Sequence, residues 1–246
     1  MSAASTPPGP GEPGHHDRTY AAYFARISEG LLSSGDEPVT FERVVRRAVQ
    51  IVPGCDEGAI TVARRRRDAV PAAVTTPALG LLERMLDGDG DGPSWSGSDS
   101  GMLLSDDLRH ERRWPDWSAA AVDQGFRSVL AIRLQTEARE IGALRLYSRR
   151  PRAFTDDALD IAEIYATHAA TALNQARLVT GLRTALESRH EIGVAQGILA
   201  MRYEISHEQA FELLRRYSSR TNTKVRDVAR IVVTTRALPE DDKGPD

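Results

Sequence analysis

Apolar residues recur at helical spacing near the end of the chain and predict three short amphipathic helices there. In the first, Ile192, Ala195 and Leu199 lie three and four residues apart, so they share one face. Ser206 and Gln209 then form an S-x-x-Q capping box, which predicts where the second helix begins. The expected inward positions of the second and third helices are Ala210, Phe211, Leu214 and Tyr217, followed by Val225, Val228, Ala229 and Val232.

A longer helical pattern precedes these helices, from Thr155 to Arg189, and is typical of a connecting rod. Alanines fill one narrow stripe of this pattern, which suits close parallel packing against the same stripe of a second chain. We therefore expect a homodimer, and the alternative is a single helix that lies on the adjacent domain of its own chain. The stripe consists of Ala158, Ala162, Tyr165, Ala169, Ala172, Ala176 and Val179, and Leu182 and Leu186 continue it.

Between residues 19 and 154 helical and strand-like patterns alternate and predict an α+β domain. Tyr20–Leu31 and Phe41–Val49 each place their apolar residues on one helical face. Two β-hairpins follow, because alternating apolar and polar positions are separated by short polar turns. The predicted strand pairs are Gly58–Ala63 with Val70–Thr76, and Ser128–Leu134 with Ile141–Tyr147.

Basic residues concentrate in the last three predicted helices. From Glu187 to Arg236 there are nine basic and six acidic residues, a surplus of three, whereas the whole chain has a net charge of −3. Most basic helical surfaces are merely solvated, but here the cations surround the second turn between helices. Such a turn can hold phosphates, and arginine also stacks on unpaired bases. The clustered residues are Arg215, Arg216, Arg220, Lys224 and Arg226, beside Asn222 or Thr223, either of which we expect to cap the third helix.

Three sequence blocks in this segment resemble the ANTAR domain, the small RNA-binding module of bacterial transcription antiterminators. The blocks are Ala195-x-Gly197-Ile198-Leu199, Ala210-Phe211-x-x-Leu214-Arg215 and Asn222-x-Lys224-Val225-x-Asp227-Val228-Ala229. The resemblance implies that the chain binds paired RNA hairpins with small loops. It also implies that holding this RNA structure relieves transcription termination.

Two positions depart from the pattern of that family. Gln196 stands where lysine is common, so a phosphate contact there becomes a hydrogen bond. Glu204 stands where a glycine often ends the first helix, and a left-handed non-glycine residue costs about 1 kcal/mol. The residues that we expect to contact RNA are Arg189, Gln196, Arg202, Arg215, Arg216, Arg220, Asn222, Lys224 and Arg226.

Most of residues 36–180 resemble a GAF domain. The motifs that carry this resemblance are Asp106-Asp107-Leu108, Arg113-Trp114-Pro115, Gly125-Phe126-Arg127-Ser128-Val129-Leu130, Ile141-Gly142-Ala143-Leu144 and Ala153-Phe154. The resemblance implies that a small molecule or a protein effector acts on this domain, and that its end helices relay the change. The fold class is thus α+β, with a GAF-like sheet domain and flanking helices, a long connecting helix and a C-terminal three-helix ANTAR bundle.

The ligand of the GAF-like domain is unknown from the sequence, and no cofactor is identified. Trp95, Trp114 and Trp117 are candidates to line a pocket, although tryptophans in small domains more often belong to the core. His110 has no second ligand nearby in the sequence and is weak evidence for a metal or haem. Ser94 stands where related GAF–ANTAR proteins often carry a cysteine, which argues against thiol chemistry.

Composition bounds the setting of the protein. A single cysteine in 246 residues excludes internal disulfides and suits the reducing cytoplasm. No apolar run approaches the length of a membrane span, and the first seventeen residues lack a hydrophobic signal core. The expected segments are a disordered leader (1–17), the sensory domain (18–154), the connecting coiled-coil helix (155–181), the RNA-binding domain (182–238) and a tail (239–246).

The sequence contains no common catalytic motif, so we do not expect an enzyme. G-x-x-x-x-G-K-[ST], H-E-x-x-H, C-x-x-C and G-x-S-x-G are all missing from it, and Asp106 with Asp107 is typical of a loop turn. Two alternatives to RNA binding stay open. One is a DNA-binding repressor that places Lys224–Arg230 in a major groove, and the other is a protein-binding signalling module. The third helix lacks an exposed Asn or Gln to read adenine, which argues against the repressor.

Overall fold

The computed structural model describes residues 37–63, 69–86, 92, 93 and 101–238. The chain divides into two compact units, residues 1–177 and 178–246. The predicted leader, the helix expected at Tyr20–Leu31, and the tail lie outside the described residues. No helix in the described part is long and apolar enough to cross a membrane.

The first unit is built on a five-stranded antiparallel sheet. Its strands are β1 (Glu57–Ala63), β2 (Ala69–Val74), β3 (Met102–Ser105), β4 (Ser128–Thr136) and β5 (Arg139–Ser148). They lie in the order β2-β1-β5-β4-β3. Both predicted hairpins are confirmed, as β1 with β2 and β4 with β5. Strand β3 was not predicted, because four residues are too short to show an alternating pattern.

Six helices complete the described chain. They are α1 (Glu37–Ile51), α2 (Pro77–Arg84), α3 (Pro115–Asp123), α4 (Asp156–Tyr203), α5 (His207–Thr221) and α6 (Val225–Thr235). The helical pattern of Phe41–Val49 is confirmed as part of α1. Helices α2 and α3 were not predicted, although each begins at a proline, a residue favoured at the first helical position.

The sheet has an apolar layer on each face because successive strand residues point to opposite sides. Leu144 and Leu146 of β5 pack with α1 and the first part of α4 in one core cluster. Tyr147 of β5 belongs to a second cluster together with α2 and α3. The Tyr165 hydroxyl of α4 also donates a hydrogen bond to the Val44 carbonyl of α1 at 2.7 Å. Helices α1 and α4 are thereby held to one face of the sheet.

Gly142 explains part of the GAF-like motif that begins at Ile141. A Cβ atom at residue 142 would lie 1.9 Å from the carbonyl oxygen of Thr61 on the neighbouring strand β1. Any side chain there would force β1 and β5 apart. A glycine is therefore required where β1 and β5 pair.

Helix α4 corrects two expectations. The predicted rod and the first helix of the ANTAR-like segment are one uninterrupted helix of 48 residues, which includes Gly181, Gly193 and Gly197. The alanine stripe is not a free surface for a second chain, because its residues are buried within the first unit of their own chain. The buried stripe residues are Ala158, Ala162, Tyr165, Ala169, Ala172 and Ala176. For this stretch, the alternative of a helix lying on its own domain is correct.

The second unit is a small bundle of α5, α6 and the last part of α4. Its core consists of Ala195, Leu199, Ala210, Leu214, Val228, Ala229 and Val232, all predicted to point inward. Phe211 was also predicted to point inward, but its side chain is 37% exposed. It follows Ala210 directly, so a rotation of about 100° turns it away from the core. Nothing lies within 4 Å of the position that a Cβ would occupy at Gly197, so packing within the described chain does not require a glycine there.

The burial of the alanine stripe yields a prediction about stability. Ala169→Glu places an unpaired carboxylate at a fully buried position, so we expect a loss of about 3–5 kcal/mol in the free energy of unfolding. Gln175→Glu, at an exposed position of the same helix, is the matched control and should change stability by less than about 0.5 kcal/mol. Urea denaturation followed by circular dichroism measures both. Equal stability of the two variants would contradict the packing described here.

Candidate nucleic-acid interface

The candidate interface is carried by α5, α6 and the turn between them, and the start of α5 is firmly fixed. The Ser206 hydroxyl accepts a hydrogen bond from the Gln209 backbone N–H at 3.1 Å, and the Gln209 side chain accepts one from the Ser206 N–H at 2.9 Å. The predicted capping box is therefore confirmed. The Gln196 amide also donates to the His207 carbonyl at 3.0 Å, so this predicted RNA-contact residue connects α4 to α5.

The turn between α5 and α6 presents two exposed polar residues. Asn222 lies in the left-handed region, with φ 51°, and ends α5. Lys224 is the N-cap residue of α6 and makes no side-chain capping bond. The expectation that Asn222 or Thr223 caps α6 is therefore wrong, because asparagine tolerates the left-handed conformation that closes α5 instead. The Ser218 hydroxyl supports the turn by donating to the Thr223 carbonyl at 2.6 Å.

Two of the predicted cations have acidic neighbours. Arg215 pairs with Glu212 at 2.9 Å, one helical turn away. Arg226 lies 3.8 Å from Asp227. All four side chains are substantially exposed, and exposed pairs of this kind contribute only about 0–1 kcal/mol. A phosphate group could therefore replace either carboxylate at little cost.

Arg230 makes a two-point contact with a carboxylate and was not among the predicted RNA contacts. Its Nε and Nη2 atoms donate to the two carboxylate oxygens of Glu191 at 3.1 and 3.2 Å. Its Nη1 lies 3.7 Å from Asp227. Glu191 belongs to α4, so this pair joins two helices across 39 residues of sequence. Sequence spacing gives no signal for such a distant partner.

Among the described residues, three predicted cations have no acidic partner. Within residues 101–238, which the structure describes without a gap, no carboxylate pairs with Arg189, Arg216 or Lys224, and all three residues are exposed. The Arg220 guanidinium lies 5.3 Å from the centre of the Tyr217 ring. The spacing of three residues between Tyr217 and Arg220 could have indicated this contact from the sequence.

Arg202 lies apart from the turn. Its Nη1 donates to the Arg236 carbonyl, which follows the C-terminal end of α6, whereas Lys224 precedes the N-terminal end. The length of α6 separates these two places by about 16 Å. Glu204, just after α4, is left-handed with φ 54°, as expected from the missing glycine. The predicted RNA contacts therefore do not form a single cluster.

The tryptophans of the first unit are mostly packed side chains. Trp117 is fully buried, with its ring 6.3 Å from that of Tyr147 and 6.4 Å from that of Trp114. Its Nε1 has no hydrogen-bond partner among the described residues. Trp114 is half-buried beneath the guanidinium of Arg113, 4.3 Å from the ring centre. Trp95 lies outside the described residues, so the predicted pocket of three tryptophans stays a prediction.

A buried ionic network lies on the same face of the sheet. Arg145 of β5 donates to Glu83 of α2 at 2.8 Å, to the Thr61 hydroxyl at 2.6 Å and to the Pro93 carbonyl at 3.2 Å. The Tyr147 hydroxyl donates to the other carboxylate oxygen of Glu83. Burial and the neighbouring Glu83 charge raise the pKa of Tyr147 well above its usual value of 10. A charged network of this kind in a dry core holds α2 to the sheet.

An open polar cleft of about 600 Å³ lies elsewhere on the first unit. Hydrogen bonds from Arg113 lower the pKa of Glu111 to about 2. The Asp107 carboxylate accepts hydrogen bonds from Arg127 at 3.0 Å. Two of the three acidic side chains of the cleft, Asp107 and Glu111, thus already have partners that stabilise their charge. The lining residues are Leu104, Ser105, Asp106, Asp107, His110, Glu111, Arg113, Pro151 and Arg152.

Cys55, the one cysteine of the sequence, is a partly buried thiol. Burial raises the pKa of the Cys55 thiol to about 12, and the thiol donates to the Glu57 carbonyl at 3.2 Å. Across the described part of the chain, no group of three or more His, Cys, Asp or Glu side chains could hold a metal ion.

Comparisons with known protein families match two consecutive segments of the chain. A family model described as a GAF domain matches residues 34–174, and one described as an ANTAR domain matches residues 180–233. Among curated proteins, none matches the chain.

Solved structures support the fold of the sheet domain. The chain is similar to the photosensory core module of the Stigmatella aurantiaca phytochrome, with 13% identity, a TM-score of 0.56, and coverage of 81% of this chain and 44% of that chain. It is also similar to the chromophore-binding domain of the bacteriophytochrome RpBphP3 from R. palustris, with 14% identity, a TM-score of 0.51, and coverage of 68% and 65%. At these identities the likeness concerns the fold alone.

The buried network predicts a large effect of a small substitution. Glu83→Gln removes the buried carboxylate that pairs with the Arg145 guanidinium, so we expect a loss of about 3–5 kcal/mol in the free energy of unfolding. Glu42→Gln, which breaks the exposed pair with Arg46, should cost less than about 1 kcal/mol. Replacing both buried partners, as Glu83→Leu with Arg145→Met, should recover most of the loss. Urea denaturation measures the free energy of unfolding of each variant. A Glu83→Gln variant as stable as Glu42→Gln would contradict the pairing of Glu83 with Arg145.

Proposed function

Because the chain belongs to the GAF domain family and continues into an ANTAR domain, we propose that it is an RNA-binding transcription antitermination regulator. In this proposal it holds paired RNA hairpins, and its GAF domain controls that binding. The observation that carries the proposal is the exposed turn between α5 and α6. Lys224 has no acidic partner there within residues 101–238, and Asn222 is exposed beside it.

The turn offers phosphate groups a favourable electrostatic setting. Lys224 stands at the N-terminal end of α6, where unpaired backbone N–H groups carry a partial positive charge. Arg226 adds a second cation whose exposed contact with Asp227 is weak. Arg216, on the preceding helix α5, has no acidic partner in residues 101–238. These groups favour a polyanion, and their affinity for it must fall as salt rises.

The same turn also offers groups that distinguish an RNA loop from a duplex. The Asn222 side chain has both an amide donor and an acceptor, so it can read a base edge that is splayed out of a hairpin loop. Arg220 with Tyr217 beneath it supplies a flat cationic surface on which an unpaired base can stack. Duplex DNA exposes neither unpaired edges nor free base faces in this way. RNA hairpins are therefore the partner that we propose.

We further propose that the chain forms a homodimer through an apolar stripe different from the buried alanines. Leu178, Val179, Leu182 and Leu186 are 56–68% exposed and lie within about 100° of one another around α4. Two such stripes are complementary to each other, since each offers apolar side chains that water solvates poorly. A dimer would place two ANTAR domains on one RNA with paired hairpins.

Control by the GAF domain completes the proposal. The effector is a small molecule or a protein whose identity is unknown. Helix α4 contributes residues to the core of the GAF domain and to the core of the ANTAR domain without interruption. We propose that a change in the GAF domain reaches the RNA-binding turn through this helix.

The RNA-binding proposal is tested with two variants of the turn. Lys224→Ala removes a phosphate contact, so it should weaken binding to all hairpins and reduce the salt slope by about one. Asn222→Ala should instead reduce discrimination between the proper loop and a substituted loop by about 1–3 kcal/mol. Arg183→Ala, on α4 and paired with Glu187, controls for loss of one positive charge. Binding is measured on hairpin RNA and on duplex DNA of equal length across several salt concentrations. Equal or tighter binding to the DNA would favour a repressor, and no nucleic-acid binding would favour a protein-binding module.

The dimer is tested with a charge in the exposed stripe. Sedimentation of the wild-type chain at micromolar concentration should give the mass of two chains. Leu182→Glu should give the mass of one, because two carboxylates would face each other across the apolar contact. Thr184→Glu, which lies on roughly the opposite side of α4, is the matched control and should remain dimeric. A one-chain mass for the wild type would refute the proposed dimer.

A further inference from the structure

In the second unit, Arg230 already donates two side-chain hydrogen bonds to a carboxylate of its own chain. The Glu191 carboxylate accepts hydrogen bonds from both Nε and Nη2 of Arg230. These two nitrogens form the edge of the guanidinium that binds a carboxylate through two parallel hydrogen bonds. A phosphate group binds arginine through the same kind of edge. Glu191 thus occupies the position that a nucleic-acid phosphate would take.

The pair is nevertheless accessible to a competing anion. The Arg230 side chain is 62% exposed and the Glu191 side chain is 28% exposed, so neither is sealed in the core. Arg230 lies on α6, the helix that begins next to Lys224 of the proposed RNA-binding turn. An exposed ion pair contributes little stability, so a phosphate with a greater charge density can displace the carboxylate.

We propose that Glu191 acts as an internal phosphate mimic that withholds Arg230 from RNA and thereby sets the affinity of the domain. This inference rests on the proposed RNA-binding function. Binding to RNA exchanges the carboxylate of Glu191 for a backbone phosphate on Arg230. Because Glu191 lies on α4 and Arg230 on α6, any shift between these two helices changes how much of Arg230 is available. Glu191 is therefore an affinity-determining residue that does not itself contact RNA.

The test removes the competing charge while keeping the size of the side chain. Glu191→Gln should bind hairpin RNA about threefold tighter or more, because Arg230 no longer has to leave a carboxylate before it contacts the phosphate. Glu187→Gln is the matched control, because it makes the same change in net charge on the same helix but releases Arg183 instead. The gain from Glu191→Gln should disappear when Arg230→Gln is added. Urea denaturation of each variant verifies that the bundle is still folded.

Each outcome separates this inference from the function on which it rests. Equal tightening by Glu191→Gln and Glu187→Gln would show a general charge effect and overturn the inference. Weaker binding by a folded Glu191→Gln variant would show that the pair positions α6 for RNA, which also overturns it. Lys224→Ala serves as the reporter of the function in the same assay. If the wild type binds no hairpin RNA and Lys224→Ala changes nothing, the proposed function itself fails.

Discussion

Helix α4 belongs to two hydrophobic cores, and the rest of the structure depends on that constraint. Its first part buries Ala158, Ala162 and Ala169 against the sheet of the GAF domain. Its last part contributes Ala195 and Leu199 to the core of the ANTAR domain. Small side chains let the helix backbone approach its neighbours closely, so the contact tolerates neither charge nor bulk. Rotation of the helix within either core would therefore disturb the packing of that core.

The two domains use charge in opposite ways. In the GAF domain, Arg145 and Glu83 are both buried, and each depends on the other because water cannot replace a missing partner. In the ANTAR domain, Arg215, Arg226 and Arg230 pair with carboxylates at the surface, where each pair contributes little. Buried charge therefore fixes an element in place, whereas paired surface charges stay accessible to water and salt.

The sequence predicts local structure correctly where interactions between residues a few positions apart determine it. The capping box of Ser206 and Gln209 defines the start of α5, since its hydrogen bonds join residues three apart. The hairpin of β4 and β5 follows from alternation and a short turn. Glu204 adopts a left-handed conformation at the helix end where the ANTAR family often has glycine. The proline-led helices α2 and α3 were missed, because eight or nine residues show too little periodicity to be distinguished from loops.

The sequence by itself determined the helical and strand periodicities of the chain, the order of its two domains along the sequence and the residue types near the α5–α6 turn. These features depend on neighbours within a few positions, so they can be read along the chain. Only the tertiary structure decided what covers each apolar stripe. Periodicity predicted a buried alanine face on α4, but it could not tell a second chain from the chain's own sheet. The same holds for ionic partners, because Glu191 meets Arg230 across 39 residues and Glu83 meets Arg145 across 62. Packing brings such groups together, and spacing in the sequence carries no record of it.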